Sequence, residues 1–256
     1  YKSQKKEAVK KINGWVEKKT KGKIKDIVND QLIGANTVLT LCNAIYFKAD
    51  WEHPFKEHQT KSLPFFLQDD KSVDVETMFQ SSKFRYAETD AVQILEMPYA
   101  GRELSMRIYL PAKSLGVSGL EKKFTNDQME AWEKMLKRKT VEVWLPKFKF
   151  ESDLSLRKEL TDLGMGVAFS DAADFSKMDA SKQVSIEHVL HKAFIDVNEK
   201  GSEAAAATAV VMLAKSTAMP DNDTKQFRAD RPFLFEIRDH KTNSTLFMGR
   251  VMNPAK

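Results

Sequence analysis

Only one cysteine, Cys42, occurs in the sequence, so an internal disulfide is excluded. It lies inside an apolar run and reads as a buried free thiol, which says little about redox compartment. A chain of 256 residues forms a core without such staples. No apolar run reaches membrane-spanning length. There is no signal peptide and no initiator methionine, and Tyr1 opens directly into a charged helical pattern. The chain therefore reads as starting inside a longer polypeptide, and the lack of a leader is no argument for the cytosol. Enzyme motifs are absent too. There is no G-x-S-x-G elbow and no P-loop, and Gly164 and Gly166 lack the third glycine of a dinucleotide fingerprint. His188 and His191 would share a face of a helix, but on a strand they point to opposite faces, and no third metal ligand converges on them. Neither a metal site nor a cofactor is expected. Repeats, low-complexity tails and Pro/Gly/Ser linkers are also lacking.

The chain does carry a mild basic excess, 41 Lys plus Arg against 36 Asp plus Glu, too small to imply nucleic acid. The excess is concentrated at the start, where ten lysines lie between Lys2 and Lys25. A solvated helix face explains them; a polyanion site is the alternative. Val9, Ile12 and Val16 recur at helical spacing, and Gly22 is a stop, so residues 4–20 read as an amphipathic helix. Thr37–Phe47 is almost wholly apolar and reads as a strand covered on both faces, with Asn43 as a buried amide in need of partners. Strand patterns follow at 63–67, 73–78, 84–86, 92–97 and 104–110. Thr125 caps a helix running to about Lys139, "VEVWLPKFKFE" alternates as a strand, and Ser155–Leu163 is a short helix stopped by Gly164. Ala193, Ile195 and Val197 mark another strand. Residues 233–237 and 245–251 flank "RDHKTNS" as a hairpin. This order defines an α+β chain in one unit. Asn222-Asp223-Thr224 and Asn243-Ser244-Thr245 match the N-glycosylation acceptor pattern in loops, which leans weakly towards a secreted, extracellular glycoprotein, with an intracellular protein as the alternative.

"EKGSEAAAATAVVMLAKSTAMP", Glu199 to Pro220, suits neither an ordinary loop nor a strand. It makes sense as a loop that later becomes a strand inside a packed sheet. Ser202, Ala204, Ala206 and Thr208 share one parity and face inward; Glu203, Ala205, Ala207 and Ala209 share the other. Bulk or charge at an inward position would stall entry into a close-packed core. Gly201 lets the backbone swing at the base. Lys215 before Ser216 fits the acidic primary pocket of a trypsin-like protease. On composition alone, an exposed Ala-rich linker stands level with this reading.

"VNEKGSEAAAATA" resembles the reactive-loop hinge of the serpin family, and "FRADRPFLFEIR" with "LFMGRVMNP" is similar to its C-terminal signature and final strands. "NAIYFKADWEHPF" resembles its central strand and breach, and "KINGWVEKKTKGKI" the helix across the front of its main sheet. The matches run in the family's order from about residue 5 to the C-terminus. The resemblance implies a serpin fold: a large mixed β-sheet A, sheets B and C and surrounding helices. Residues 1–256 would be the C-terminal portion of a single serpin domain, with the reactive-centre loop at about 199–220.

The resemblance also implies a mechanism. With Glu199 as hinge glutamate, the family's loop length places the bait sixteen positions on, at Lys215, and the reactive bond at Lys215–Ser216. A loop shorter by one or two residues would place it at Ala214 or Leu213. A protease that cuts there forms an acyl-enzyme, and the loop inserts into sheet A of a metastable fold and traps it. The hinge comprises Glu199, Gly201, Ser202, Ala204, Ala205, Ala206, Ala207 and Thr208. Asn43 and His191 match the shutter and Trp51 the breach, which are gating and not catalytic positions. The expected partner is a trypsin-like serine protease in covalent complex, and no enzymatic activity is expected of the chain itself. A non-inhibitory serpin, acting as chaperone, carrier or storage protein, is the alternative. Serpins also have an N-terminal part before the helix at which this chain starts. Without that partner, residues 1–256 are not expected to make a stable, active inhibitor, because the groups that pack on Asn43 and His191 would be absent.

Overall fold

The computed structural model describes residues 5–34, 37–68, 71–180, 184–202 and 223–255. They fall into two compact units, one of residues 1–47 and 150–195, the other of residues 48–149 and 196–256.

In the first unit, helix α1 (Lys5–Lys19) ends at Gly22, which adopts φ 79° and caps it by donating to Glu17 O. Its apolar stripe of Val9, Ile12 and Val16 packs with Ile24, Ile27, Val28 and Ile33. These residues cover one face of strand β1 (Leu39–Tyr46), through Cys42, Ala44 and Tyr46. β1 runs parallel to β9 (Ile186–Val197), with Leu41 opposite Val189, Cys42 opposite Leu190 and Asn43 opposite His191. β8 (Phe148–Ser155) also pairs with β9. The other face of β1 is open: Leu41 is 41% exposed, and Val38 and Asn43 are exposed beside it. The expected strand covered on both faces is thus covered on one, because among the described residues the α1 cluster packs on β1 only on the side of Cys42, Ala44 and Tyr46. Cys42 is half-buried, not buried, and burial pushes its thiol pKa up. The helix expected at 155–163 is shorter. α4 (Arg157–Leu160) gives way to a wide turn at Thr161–Met165, where Gly164 takes φ 98°, and then to a 3-10 turn at Gly166–Phe169.

The second unit is built on an eight-stranded sheet. Its strands are β3 (Lys61–Phe66), β4 (Ser72–Glu88), β5 (Val92–Pro98), β6 (Leu104–Pro111), β7 (Lys137–Pro146), β11 (Lys225–Arg228), β12 (Phe233–Asp239) and β13 (Ser244–Val251). The order is β11-β7-β4-β5-β6-β12-β13, with β3 also on β4. Two segments expected as separate strands, 73–78 and 84–86, form the single long β4. Polar Gln80-Ser81-Ser82 breaks the apolar pattern, but β4 pairs with β7 straight through it, from Thr77–Pro146 to Tyr86–Lys137. Helices α2 (Gly116–Glu121) and α3 (Asn126–Met135) cover this sheet with Val117, Leu120 and Trp132, against Ile94, Tyr109 and Leu234. Thr125 caps α3 by accepting from Gln128 N. The helix stops at Met135, four residues before the expected end, and Lys137–Lys139 open β7. Two further two-residue strands, β2 (Ala49–Asp50) and β10 (Gly201–Ser202), build the site below.

A row of charges crosses this sheet. Residues directly opposite one another on β7, β4, β5, β6 and β12 are Arg138, Arg85, Glu96, Arg107 and Glu236. Arg107 is 1% exposed and Glu236 fully buried. Arg107 donates to Glu96 Oε2 from Nε and Nη2 (3.0 and 2.5 Å), to Glu236 Oε1 (3.3 Å) and to Glu133 of α3. Tyr109 Oη and Thr245 Oγ1 donate to the two oxygens of Glu236 (2.7 and 2.9 Å). Arg85 bridges Glu96 Oε1 and Glu133 Oε1 (2.8 and 2.9 Å). Each buried carboxylate therefore has its acceptor sites filled by charged or hydroxyl donors, the condition for burying charge at all.

Candidate functional site

Gly201 and Ser202 form β10, which lies between two chain segments. Gly201 and Ser202 pair antiparallel with Asp50 and Ala49 of β2, and Ser202 also pairs with Val197 at the end of β9. The base of the Ala-rich segment is already a strand with a neighbour on each side.

The fit around Gly201 is set by backbone. A Cβ there would lie 2.1 Å from Ala49 O and 2.6 Å from Asp50 Cα. Glycine is required by this close approach as well as by its φ of 156°. Ser202 is fully buried, and its Oγ is 2.7 Å from Tyr99 Oη. Burial pushes the Tyr99 phenol pKa far up, outweighing the opposite pull of Ser202, so it remains a neutral hydroxyl.

Trp51 holds the other side. Its ring stacks on Tyr99 at 4.5 Å between centroids, 7° from parallel, and meets Phe55 edge-on at 6.5 Å. Its Nε1–H donates to Asn198 O (3.0 Å), and its backbone N–H donates to Lys200 O (2.8 Å). The turn Asn198–Gly201 is therefore pinned by one indole at both backbone and side chain. Glu199 is anchored separately. Its Oε1 accepts from Thr60 Oγ1 (2.8 Å) and pairs with Lys147 Nζ (3.2 Å), while Phe55 N–H donates to its carbonyl (2.8 Å). Burial raises the Glu199 carboxyl pKa, but its own backbone N–H, Thr60 and Lys147 outweigh that and hold it below the usual carboxylate range. Replacing Trp51 with phenylalanine keeps a stacking ring but strands the Asn198 carbonyl. The expected loss is about 1–2 kcal/mol of unfolding free energy, read by urea titration.

The structure thus brings Glu199, Gly201, Ser202 and Trp51 together. Tyr99, Thr60 and Lys147, which complete the site, carried no local motif that marked them, whereas Phe55 closes the run "NAIYFKADWEHPF" that resembles the breach. Asn43 and His191 lie opposite each other in the β1–β9 ladder. Contrary to the expected buried amide, Asn43 is exposed, because nothing among the described residues covers its face. His191 Nδ1 is buried without a hydrogen-bond partner among the described residues, as is Thr40 Oγ1. Asn243 is exposed in the β12–β13 turn at φ 58°, accepting from Arg238 Nη2 (2.5 Å). Ala204, Ala205, Ala206, Ala207, Thr208, Lys215, Ser216 and Asn222 lie outside the described residues. Among the described residues no cluster of three His, Cys, Asp or Glu could hold a metal, and no helix is long and apolar enough to cross a membrane.

The family described as Serpin (serine protease inhibitor) matches residues 1–254, and the chain belongs to the serpin family. Human Serpin B3 is 41% identical over 252 residues, which are 97% of this chain and 64% of that protein. The crystal structure of uncleaved ovalbumin superposes with a TM-score of 0.86 at 30% identity, covering 99% of this chain and 64% of that one. The thyroxine-binding globulin complex with thyroxine superposes with a TM-score of 0.84 at 28% identity, covering 97% of this chain and 65% of that one. The fold is the α+β serpin fold, and the chain spans a little under two thirds of the length of these relatives.

Proposed function

We propose that this chain is the C-terminal portion of a single serpin domain, residues 1–256, acting as an inhibitor of trypsin-like serine proteases by suicide-substrate trapping and not as an enzyme. The target cuts Lys215–Ser216. Its serine oxygen bonds to the Lys215 carbonyl carbon, and the amide nitrogen of Ser216 leaves with a proton. The freed loop then extends β10 as a new strand and carries the acyl-enzyme with it. The observation that carries this reading is β10 itself, since the hinge is seated with Val197 on one side and Ala49 on the other. Further insertion requires the closed β1–β9 ladder, from Leu39–Ile186 to Tyr46–Phe194, to part. Small side chains at the inward positions Ser202, Ala204, Ala206 and Thr208 keep that entry unobstructed. The state before cleavage is then held by a barrier and not by equilibrium.

Trypsin incubated with the intact protein should give a complex that survives boiling in detergent, and Lys215→Phe should move that complex to chymotrypsin-like enzymes. Simple turnover of the loop without a complex refutes the trap. Unchanged trypsin trapping by the variant places the bait elsewhere. The second reading is a carrier, favoured by the similarity to a globulin solved with thyroxine; it predicts turnover without a complex. Secretion and glycosylation at Asn222 or Asn243 complete the proposal and rest on the two acceptor triplets. A glycosidase-sensitive mass shift checks them.

A further inference from the structure

The charge row across the large sheet alternates in sign except at one end. Glu236, Arg107, Glu96 and Arg85 each face an opposite charge, but Arg85 then faces Arg138 across the β4–β7 ladder. Like charges directly opposite in a sheet are destabilising. Lys83, two residues along β4 from Arg85, adds a third cation to the same face, opposite Thr140. Arg85 is satisfied by Glu96 and Glu133. Outside the backbone ladder, the side chains of Lys83 and Arg138 have no ion-pair or hydrogen-bond partner among the described residues.

These three cations line a cavity of about 280 Å³ with His53, Arg102 and His240. Its two carboxylates are already engaged, Glu52 by Arg102 (2.5 Å) and Glu96 by the buried Arg107 and the half-buried Arg85. Lys83 and Arg138 also line an adjoining cavity, with Lys139 and Thr140, where Asp223 is taken by Lys139. The space is open and of a size for a small ligand, and its cations offer donors where the row lacks an acceptor.

We propose that this cavity binds a small, multiply charged oxyanion, a phosphate- or sulfate-bearing ligand, held by Lys83 and Arg138 at the place where the alternating row wants a negative charge. The site is separate from the hinge and does not depend on the inhibitory reading. Arginine and lysine hold such groups through charge-assisted hydrogen bonds, and their geometry suits tetrahedral oxyanions.

The test is calorimetric titration and thermal melting of the intact protein with inorganic pyrophosphate, and separately with a sulfated heparin disaccharide; whichever binds more tightly identifies the phosphate or sulfate source. Lys83→Gln and Arg138→Gln should each weaken binding by about tenfold, the loss of one charge-assisted hydrogen bond. Arg138→Glu should raise the melting temperature in the absence of anion, by completing the row, and abolish the anion-dependent rise. Lys10→Gln/Lys11→Gln, on the basic helix α1, should leave binding unchanged. The proposal is overturned if neither anion binds, if the Lys83 and Arg138 variants bind as tightly as the parent, or if the α1 variant alone loses affinity.

Discussion

Arg107→Met should lower the unfolding free energy by about 3–5 kcal/mol, the cost of removing one partner from a buried ion pair. Methionine fills much the same volume without the charge. Glu96 then keeps Arg85, but Glu236 keeps only hydroxyl donors and a distant Arg238 at 3.9 Å. Adding Glu96→Gln and Glu236→Gln to the variant should restore most of the loss, since a neutral buried pair needs no counter-charge. Urea unfolding at neutral pH measures both. A Met variant within 1 kcal/mol of the parent would show that the row is electrostatically idle. The pH dependence adds a second readout through Glu133. Burial raises the pKa of this carboxyl, but Arg107 and Arg85 outweigh it and hold the pKa below its ordinary value. A carboxyl depressed in the folded state contributes stability that is present above its unfolded pKa, about 4.3, and lost as the pH falls through the folded value. The parent should therefore lose stability in acid more steeply than Arg107→Met, and the gap between them should narrow below pH about 4.

The contrast between what was legible in the sequence and what was not follows from the range of the interactions. Helix α1 was readable because Val9, Ile12 and Val16 sit on one stripe and Gly22 stops it, all within a few turns. Glu199, Gly201, Ser202 and Trp51 were readable because each lies in a local run with a recognisable pattern. Helix α2 was not, since Gly116, Ser118 and Gly119 are poor helix formers and the helix exists because Val117 and Leu120 pack beneath it. The continuity of β4 was hidden because its polar middle is carried by pairing with β7, about sixty residues away in sequence. The charge row was hidden for the same reason: Arg107 meets carboxylates 11, 26 and 129 positions distant. The partners of the hinge, Tyr99, Thr60 and Lys147, also come from remote strands and turns and carry no motif of their own. Asn43 shows the opposite failure. Its apolar surroundings read as buried, yet hydrophobic pattern identifies a face that favours cover without identifying what covers it.

Ser202→Arg should convert the inhibitor into a substrate. Ser202 is fully buried, its Oγ is hydrogen-bonded to Tyr99, and it is paired on both sides, to Val197 and Ala49. A guanidinium has no counter-charge from Tyr99 there: the hydroxyl, kept neutral by burial, is an acceptor without charge and cannot satisfy five donors. Seating the arginine therefore costs several kcal/mol, and the lower-energy course is for β10 to leave its slot. That expulsion sets the loop further from the conformation it must reach after cleavage. Trapping is a race between insertion and hydrolysis of the acyl-enzyme, and each 1.4 kcal/mol added to the insertion barrier slows it about tenfold. The chemistry at Lys215 is unchanged, so cleavage proceeds while capture fails. The stoichiometry of inhibition against trypsin should rise by about tenfold or more, with free, active protease and nicked protein as products in place of a detergent-stable complex. Ser202→Thr, which preserves the hydroxyl and the β-branched habit of a strand, should stay close to the parent. An arginine variant that still traps trypsin one for one would mean that Ser202 does not face the interior during capture, and the inward parity read for Ala204, Ala206 and Thr208 would fall with it.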